Sequence, residues 1–297
     1  MMRSLLLLTG LLLAAGAMAQ CCLLTNFEGY PLGANGVVMF RQPNFSGSTA
    51  SFLAFTGSCS VGPNCSIISN EQNHTPGGSQ SLKVVWQFTG TASNAWLRLT
   101  TFNTPNIPNP TIDFRFKVVV WLYVPSSTPD FYLTLGVRET GSTAACGGNG
   151  GAPAVGIEWI GATSSTGNNA PIGKLVNLKD QWIRVEFDIP NEPIRAFAGS
   201  TANGVLDTQT GTFEHLAFTP VNPFLTDIYT VYLDDIATVP SIPGDVDCNG
   251  CVDDADLLAV LFDFGCSSDC GAEDVNGDGV VDDADLLIVL FNFGQGC

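Results

Sequence analysis

The most constraining feature of this chain is an internal repeat near its C-terminus. The segment GDVDCNGCVDDADLLAVLFDFG at 244–265 returns as EDVNGDGVVDDADLLIVLFNFG at 273–294. Aligned from Asp245 and Asp274, the copies are identical at 15 of 21 positions, with a period of 29 residues. Such self-similarity indicates a duplicated structural unit, in which each copy folds in the same way and packs against the other.

Each copy places oxygen-bearing side chains at positions 1, 3, 5, 9 and 12 of a loop, with glycine at position 6. This is the pattern of the EF-hand loop, in which about six to eight oxygens hold Ca²⁺ and position 7 contributes its backbone carbonyl. Position 12 is Asp in both copies, where the usual residue is Glu. We therefore predict two Ca²⁺ sites, with the ligands Asp245, Asp247, Asn249, Cys251, Asp253 and Asp256 in the first loop and Asp274, Asn276, Asp278, Val280, Asp282 and Asp285 in the second.

The charge of this region indicates that it needs cations to fold. Residues 244–297 contain thirteen acidic residues and no Lys or Arg, whereas residues 20–243 contain fifteen acidic and ten basic residues. An unbalanced acidic segment repels itself until cations neutralise it, and it also repels the phosphates of nucleic acids. We therefore expect Ca²⁺ as a cofactor and no nucleic-acid partner.

An apolar run follows each loop, at 257–262 and 286–291, and each run predicts one helix with no matching helix before the loop. One loop with one exiting helix, duplicated, resembles the type I dockerin domain over residues 244–294. The resemblance implies antiparallel packing of the halves and binding to a cohesin-like module or another cell-surface component. The implied partner-binding residues are Asp254, Ala255, Leu261, Phe262, Asp283, Ala284, Leu290 and Phe291. The alternative is a calcium-stapled spacer without a partner.

The N-terminus and the cysteines indicate export. Residues 1–19 combine one Arg, an apolar run and a small-x-small pattern, which predict a cleaved signal peptide, and no later run is long enough to span a membrane. Ten cysteines fit an oxidising compartment, so we expect a secreted protein, extracellular or at a cell surface. Five cysteines precede residue 150 and five follow residue 247, so complete pairing requires a bond between the halves. Cys59 and Cys65 are expected to close a local loop.

Residues 20–239 predict a separate domain, which residues 240–243 link to the unit at 244–297. Short β-branched and aromatic runs, such as FRFKVVVWLYV at 114–124, alternate with turns rich in Gly, Ser, Asn and Pro. This pattern is typical of an antiparallel sandwich. The whole chain is therefore predicted to be mainly β, a jelly-roll β-sandwich followed by a small α-helical module.

Three short motifs in this domain resemble jelly-roll carbohydrate-binding modules of families 4, 9 and 22. They are NFEGY at 26–30, HTPGGSQSLKV at 74–84 and YLDDI at 232–236. In those modules a Glu on the first strand and an Asp on the last strand hold a structural Ca²⁺. The resemblance therefore implies a third Ca²⁺, held by Glu28 with Asp234 or Asp235. The alternative is that these acids lie at exposed strand ends.

Alternation along three predicted strands separates an apolar side from a side that carries aromatic and basic residues. Aromatic rings suit the C–H faces of sugars, and polar groups suit sugar hydroxyls. We predict that the second side binds a neutral or acidic polysaccharide through Trp96, Arg98, Trp121, Tyr123, Tyr132 and Arg138. The alternatives are a second, smaller core beneath a loop, or strands that belong to opposite sheets. Trp86 and Trp159 are expected in the core, and Trp182 fits either position.

Catalysis is the less favoured interpretation. The carboxylate cluster that best suits glycoside hydrolysis is EFDIPNE at 186–192, which is similar to the catalytic strand of laminarinase-type glucanases. Pro190 interrupts the strand before Glu192, which departs from that family. The two histidines, His74 and His215, have no Ser or Cys partner recognisable from spacing. We expect a noncatalytic carbohydrate-binding protein, and the alternatives are a glycan-degrading enzyme and a structural surface protein.

Overall fold

The computed structural model describes residues 21–34, 39–43, 65–104, 107–165, 170–267, 270–276 and 278–297. The predicted signal peptide at 1–19 and the predicted disulfide partner Cys59 lie outside these residues. The chain divides into two compact units, and the described residues of these units fall within Cys21–Ser241 and Ile242–Cys297.

The larger unit is built from strands, and every strand pair in its described part is antiparallel. In chain order the strands are β1 (Cys22–Thr25), β2 (Cys65–Ser69), β3 (Ser81–Gln87), β4 (Leu97–Thr100), β5 (Thr111–Asp113), β6 (Lys117–Tyr123), β7 (Phe131–Arg138), β8 (Ile157–Ile160), β9 (Ser164–Ser165), β10 (Pro171–Ile172), β11 (Lys174–Val176), β12 (Trp182–Asp188), β13 (Ile194–Ala198), β14 (Thr210–Pro220) and β15 (Ile228–Val239).

These strands form two large sheets and one small pair. The first sheet has the order β12-β6-β15-β3-β2, with β1 paired to β15. The second has the order β13-β8-β7-β14-β4, with β11 paired to β7 and β5 to β14, while β9 pairs only with β10. Side chains of both sheets share one core, in which Trp86 of the first sheet contacts Phe131 and Phe218 of the second. The predicted fold class is therefore confirmed.

The alternation of β6 shows why the sandwich forms. Val118, Val120 and Leu122 are fully buried in the core between the sheets, and burying each such side chain contributes about 1.5–3 kcal/mol. Trp121 and Tyr123 point to the opposite, outer side of the first sheet and are half-buried. A strand with this pattern can bury its apolar side only by packing against a second sheet.

The smaller unit contains two short helices, α1 (Asp254–Phe262) and α2 (Asp283–Asn292). Each follows one predicted Ca²⁺ loop, as the sequence predicts. The N-cap residues Asp253 and Asp282 both take part in capping boxes, which satisfy backbone N–H groups at the start of the helix. No helix in the described part of the chain is both long enough and apolar enough to cross a membrane.

Disulfide bonds reinforce both units. Cys22 pairs with Cys146 in the larger unit, and the smaller unit contains the pairs Cys251–Cys297 and Cys266–Cys270. All remaining described cysteines are also disulfide-bonded, namely Cys21, Cys65 and Cys248. Among its described residues the small unit has a core of six buried residues, so covalent links are an important part of what holds it together.

Candidate functional site

The first predicted Ca²⁺ loop folds around its own carboxylates. The two carboxylate oxygens of Asp245 accept hydrogen bonds from the backbone N–H groups of Asn249 and Gly250, each at 3.1 Å. At the far end of the loop, Asp256 accepts a hydrogen bond from the N–H of Asp247 at 3.0 Å. Gly250 has a φ of 88°, a left-handed conformation that glycine adopts without strain. The sharp turn at Gly250 therefore brings both ends of the loop onto one centre.

The second loop repeats this arrangement. Asp274 accepts hydrogen bonds from the N–H groups of Asp278 at 3.1 Å and Gly279 at 2.8 Å. Asp285 accepts one from the N–H of Asn276 at 3.0 Å, and Gly279 has a φ of 91°. Equivalent residues thus make equivalent bonds in the two halves, as their sequence spacing predicts.

The donor set of the first loop suits a hard divalent cation. Ligand oxygens of Asp245, Asp247 and Asp256 lie within 4.8 Å of one another, and Asp245 and Asp256 are buried. Burial, together with the charges of Asp256 and Asp247, raises the pKa of Asp245 to about 6. Clustered carboxylates in a segment without Lys or Arg are unfavourable unless a cation neutralises them, and carboxylate oxygens are the ligands that Ca²⁺ prefers. The second loop carries Asn276 at the position of Asp247.

The other predicted ligands differ in their surroundings. Asp253 and Asp282 each accept a hydrogen bond at 2.8 Å from the backbone N–H two residues later, so both also cap a helix. Cys251, whose carbonyl is predicted to bind the first ion, is covalently tied to Cys297. Its equivalent, Val280, is exposed and has no such tether. The first loop is therefore stapled where the second is not.

Backbone hydrogen bonds join the two halves symmetrically. The carbonyl of Val252 accepts from the N–H of Gly294, and the carbonyl of Val281 accepts from the N–H of Gly265, both at 2.8 Å. Val281 and Gly294 lie one repeat period after Val252 and Gly265. The halves are thus related by an approximate two-fold axis, and each half completes the other.

The residues implied to bind a partner lie on the exposed sides of α1 and α2. Asp254, Ala255 and Leu261 are exposed, as are their equivalents in the second half, Asp283, Ala284 and Leu290. Phe262 and Phe291 are 87% and 79% exposed. Sequence reasoning missed Leu258 and Leu287, which share these helices and are also exposed. Their i, i+3 and i+4 spacing from Leu261, Phe262, Leu290 and Phe291 could have placed them on the same faces.

Five aromatic rings meet on the outer side of the first sheet, namely His74, Trp121, Tyr123, Trp182 and Tyr232, which we call the aromatic face. Strand register places Trp182, Tyr123 and Tyr232 side by side on β12, β6 and β15. The ring centroid of Tyr123 lies 5.8 Å from that of Trp182 and 6.0 Å from that of Tyr232. Trp121 lies two residues along β6 and stacks on His74, with centroids 3.8 Å apart. The structure therefore brings the predicted ligand residues Trp121 and Tyr123 together.

The basic residues on this side of the first sheet are paired with carboxylates. Lys83 contacts Glu71 at 2.7 Å, and the hydrogen bonds from Lys83 lower the pKa of Glu71. Arg184 contacts Glu186, and Lys117 lies 3.7 Å from the same carboxylate. The surface beside the aromatic face is therefore polar but carries little uncompensated positive charge.

Asp234 and Asp235 hold the segment that carries His74. Asp234 accepts hydrogen bonds from the backbone N–H groups of His74 at 2.8 Å and Thr75 at 3.2 Å. Asp235 contacts Nδ1 of His74 at 2.6 Å and accepts from the hydroxyl of Thr75 at 2.8 Å. Burial, together with the charge of Asp235, raises the pKa of Asp234 to about 6. The register between β15 and β6 shifts after Asp234, and this bulge lets adjacent acids serve one loop.

Glu28 binds a neighbouring part of the same loop. Its carboxylate accepts hydrogen bonds from the N–H groups of Ser79 at 2.7 Å and Gln80 at 3.0 Å. The groups of acidic, His or Cys ligands that converge within 4.8 Å in the described residues do not include Glu28, Asp234 or Asp235. The two aspartates are buried, which differs from the alternative of acids at exposed strand ends. A third Ca²⁺ at these residues stays a prediction.

Four of the predicted sugar-binding residues lie on the second sheet or beside it, away from Trp121 and Tyr123. Trp96 is 1% exposed and packs with Trp159 and Phe197 in a small cluster separate from the main core. This corrects the prediction for Trp96 in favour of its alternative, a second core. Trp159, which was expected in a core, is fully buried in that cluster. Alternation gives the side of one strand but not the sheet to which the strand belongs.

Two of the remaining residues of that set bind a carboxylate on the second sheet. Arg138 binds Glu214 through two nitrogens at 3.0 and 2.8 Å, and Arg98 binds the same carboxylate at 3.2 Å. Tyr132 is half-buried on β7. His215 is fully buried and accepts a hydrogen bond from the indole of Trp159 at 3.0 Å. Burial and the nearby Arg98 and Arg138 hold the pKa of His215 well below its usual value, so it is a neutral core residue.

The carboxylates considered for glycoside hydrolysis engage separate partners. Glu186 pairs with Arg184 and Lys117, as described above. Asp188 accepts hydrogen bonds from the hydroxyl of Ser241 and from the amide of Asn191. Glu192 forms an ion pair with Lys174. These contacts tie strand ends and loops, which is a structural role for each acid.

Comparison with known proteins gives similarity to solved structures alone. No protein-family model matches the chain, and no curated protein matches it. A carbohydrate-binding module of the β-sandwich superfamily, described for its promiscuous specificity, is 13% identical with a TM-score of 0.37, over 76% of this chain and 63% of that chain. The chain thus spans less than two thirds of that structure.

Two further solved structures have similar values. The family 11 carbohydrate-binding module of a cellulosomal cellulase of Clostridium thermocellum is 12% identical with a TM-score of 0.38, over 73% of this chain and 93% of that chain. A carbohydrate-binding module of Caldicellulosiruptor saccharolyticus, solved with mannohexaose, is 14% identical with a TM-score of 0.37, over 74% of this chain and 96% of that chain.

Proposed function

We propose that this chain is a secreted, noncatalytic polysaccharide-binding protein that is attached to a partner through its C-terminal unit. The observation that carries the binding role is the aromatic face, where the half-buried rings of Trp121, Tyr123 and Trp182 lie together on one sheet. Aromatic rings beside polar side chains suit sugars, whose C–H faces stack while their hydroxyls form hydrogen bonds.

The C-terminal unit is proposed to bind two Ca²⁺ ions and to dock onto a cohesin-like module or another cell-surface component. Two observations support this role. The two loops carry equivalent carboxylate-centred hydrogen bonds, and α1 and α2 expose large apolar residues at equivalent positions. Paired apolar surfaces of this kind are a feature of protein-binding sites. A spacer would gain nothing from exposing Phe262 and Phe291.

The binding role is tested by titrating the full chain with soluble neutral and acidic polysaccharides in a calorimeter. Trp121→Ala and Tyr123→Ala are each expected to lower affinity about tenfold, because a stacking ring contributes roughly 1.5 kcal/mol. Phe224→Ala serves as the control, since this ring is exposed but lies outside the aromatic face. If both variants fold normally and bind like the wild type, the aromatic face is not the binding site.

Catalysis is measured in the same samples by the release of reducing sugar, and none is expected. Release that disappears in Glu186→Gln would show a glycan-degrading enzyme instead. Attachment is tested separately by retention of the full chain on candidate cell-surface fractions with Ca²⁺ and with chelator. Retention is expected only with Ca²⁺ and only when Phe262 and Phe291 are intact. Retention that survives both chelator and Phe→Asp changes would contradict docking through α1 and α2.

A further inference from the structure

On the outer side of the second sheet, two guanidinium groups share one carboxylate. Arg138 donates to Glu214 at 3.0 and 2.8 Å, Arg98 donates at 3.2 Å, and the amide of Asn109 donates at 3.3 Å. A carboxylate has about four acceptor positions, so these four hydrogen bonds use the capacity of Glu214. We call Arg98, Arg138 and Glu214 the arginine cluster.

The arginine cluster holds one more positive than negative charge in nearly buried surroundings. Its side chains are only 13%, 15% and 10% exposed for Arg98, Arg138 and Glu214. Burial lowers the pKa of Arg98, Glu214 acts in the opposite direction, and Arg138 lowers it further. Buried charges in folded proteins are normally compensated, because removing an ion from water is costly. The excess charge therefore favours an anion at this place.

Strand register explains why these groups meet. Arg98 and Arg138 lie on β4 and β7, on the side of each strand that faces away from the main core. β14 lies between these two strands, and its register with β7 shifts between Phe213 and His215. This bulge lets the adjacent residues Glu214 and His215 both serve the outer side. An imidazole therefore lies beside the arginine cluster.

His215 adds a buried hydrogen-bond donor. Its Nε2 accepts from the indole N–H of Trp159, so in the neutral ring the proton lies on Nδ1. The ring is fully buried, and Nδ1 has no hydrogen-bond partner in the described part of the chain. The hydroxyl of Thr100, which pairs with His215 across β4 and β14, is likewise buried without a described partner. Buried polar atoms of this kind are uncommon and indicate a bound ion or water.

Aromatic rings enclose this place and limit what can enter. The guanidinium of Arg98 lies 5.1 Å from the ring centroid of Phe197, and the imidazole of His215 lies 5.5 Å from the same centroid. The ring of Trp96, which is itself buried, lies 6.4 Å from that imidazole. Because His215 and Trp96 have almost no contact with solvent, the surroundings suit a monatomic ion and not a sugar residue.

We propose that the outer side of the second sheet binds a halide ion, chloride or bromide, beside Arg98, Arg138 and the buried donors of His215 and Thr100. The ion supplies the counter-charge that the arginine cluster lacks and accepts from Nδ1–H of His215. It stabilises the packing of β4, β14 and β7, because it binds the folded state only. The aromatic face lies on the other sheet, so this site is independent of the proposed glycan-binding residues.

The proposal is tested by thermal unfolding of the full chain at a fixed Ca²⁺ concentration, with chloride replacing methanesulfonate at constant ionic strength. Tryptophan fluorescence reports on the larger unit, because all five tryptophans lie within residues 86–182. Chloride at about ten times its Kd is expected to raise the Tm of that unit by about 3–6 °C, and the rise should saturate. No chloride dependence, or a rise that never saturates, would overturn the proposal.

Two charge variants predict opposite changes in the same assay. Arg98→Gln leaves one guanidinium with one carboxylate, so the chloride-dependent rise should disappear, whereas Arg98→Lys keeps the charge and should retain it. Glu214→Gln removes the competing carboxylate, so the chloride concentration at half-effect should fall by at least about tenfold. Lys174→Gln is the matched control, because Lys174 forms a one-to-one ion pair with Glu192. An unchanged rise in Arg98→Gln would refute the role of the arginine cluster.

Locating bromide directly keeps the inference testable if a variant fails to fold. Crystals of the wild-type chain soaked in bromide are expected to give an anomalous peak beside Nδ1 of His215 and the guanidinium of Arg98. A water in that place, with no bromide peak, would refute the proposal. Bromide peaks confined to the protein surface would show an adventitious ion only and would refute it equally.

Discussion

The Cys251–Cys297 disulfide ties the first Ca²⁺ loop to the end of the chain, and its removal provides a quantitative test of what stabilises the C-terminal unit. The two cysteines are separated by 46 residues, whereas Cys266 and Cys270 are separated by 4. In the chain-entropy model, a loop of the first size stabilises the fold by about 4 kcal/mol and one of the second size by about 2 kcal/mol at 25 °C. The two bonds therefore serve as a matched pair with different expected effects.

The C-terminal unit has few other stabilising interactions that could offset the loss of the Cys251–Cys297 disulfide. The described part of its core contains six buried residues, and its thirteen acidic residues repel one another in the absence of cations. Small units of this kind are stable by only a few kcal/mol, so a loss of about 4 kcal/mol leaves the calcium-free unit largely unfolded. Ca²⁺ at about a thousandfold excess over its Kd restores about 4 kcal/mol, because it binds the folded loops.

Circular dichroism at 222 nm measures this directly, since α1 and α2 are the only helices in the described part of the chain. We expect the full chain with Cys251→Ser and Cys297→Ser to lose its helical signal in chelator and regain it with Ca²⁺. The control, Cys266→Ser with Cys270→Ser, should lose about half as much stability. Both variants keep Cys248 in its disulfide. Equal losses, or no loss in the first variant, would refute the loop-length argument.

Asp245→Ala is expected to reduce the number of bound Ca²⁺ ions by one in a chelator-competition titration, because the second loop has its own ligands. Trp96→Ala should lower the free energy of unfolding in urea by about 3–5 kcal/mol and leave the glycan affinity of folded protein unchanged, since Trp96 is a buried core residue. Burial raises the pKa of Glu139 in the folded state above its ordinary value, so the protonated form is favoured in the fold. The free energy of unfolding therefore falls as the pH rises from the ordinary pKa of glutamate through the pKa in the folded state. Glu139→Gln should therefore flatten the decline in unfolding free energy that is measured as the pH rises above the ordinary pKa of glutamate. Because the halves are related by an approximate two-fold axis, Ala255→Arg alone should weaken docking by at most about twofold, and adding Ala284→Arg should abolish it in the retention assay.

The C-terminal unit could be predicted in detail because its determinants are local. Each loop takes its carboxylates, its glycine turn and its helix cap from about a dozen consecutive residues, so spacing alone fixes which groups converge. Asp245 and Asp256, for example, lie eleven residues apart in the sequence and share one cluster. The Cys251–Cys297 pairing could not be predicted, because five cysteines in one segment allow many connectivities and spacing does not choose among them.

The sandwich shows where local sequence patterns no longer predict the position of a side chain. Trp96 and Trp121 both lie opposite apolar residues of their strands, yet Trp96 is buried against Trp159 while Trp121 lies on the aromatic face. What covers each ring comes from distant parts of the chain, and the pair formed by His74 and Asp235 spans 161 residues. The signal that could have found this pair is that HTPGG and YLDDI both belong to the motifs of one resemblance. Their shared role is therefore to hold this loop against the last strand, and that contact, not the pattern of any single strand, places His74 on Trp121.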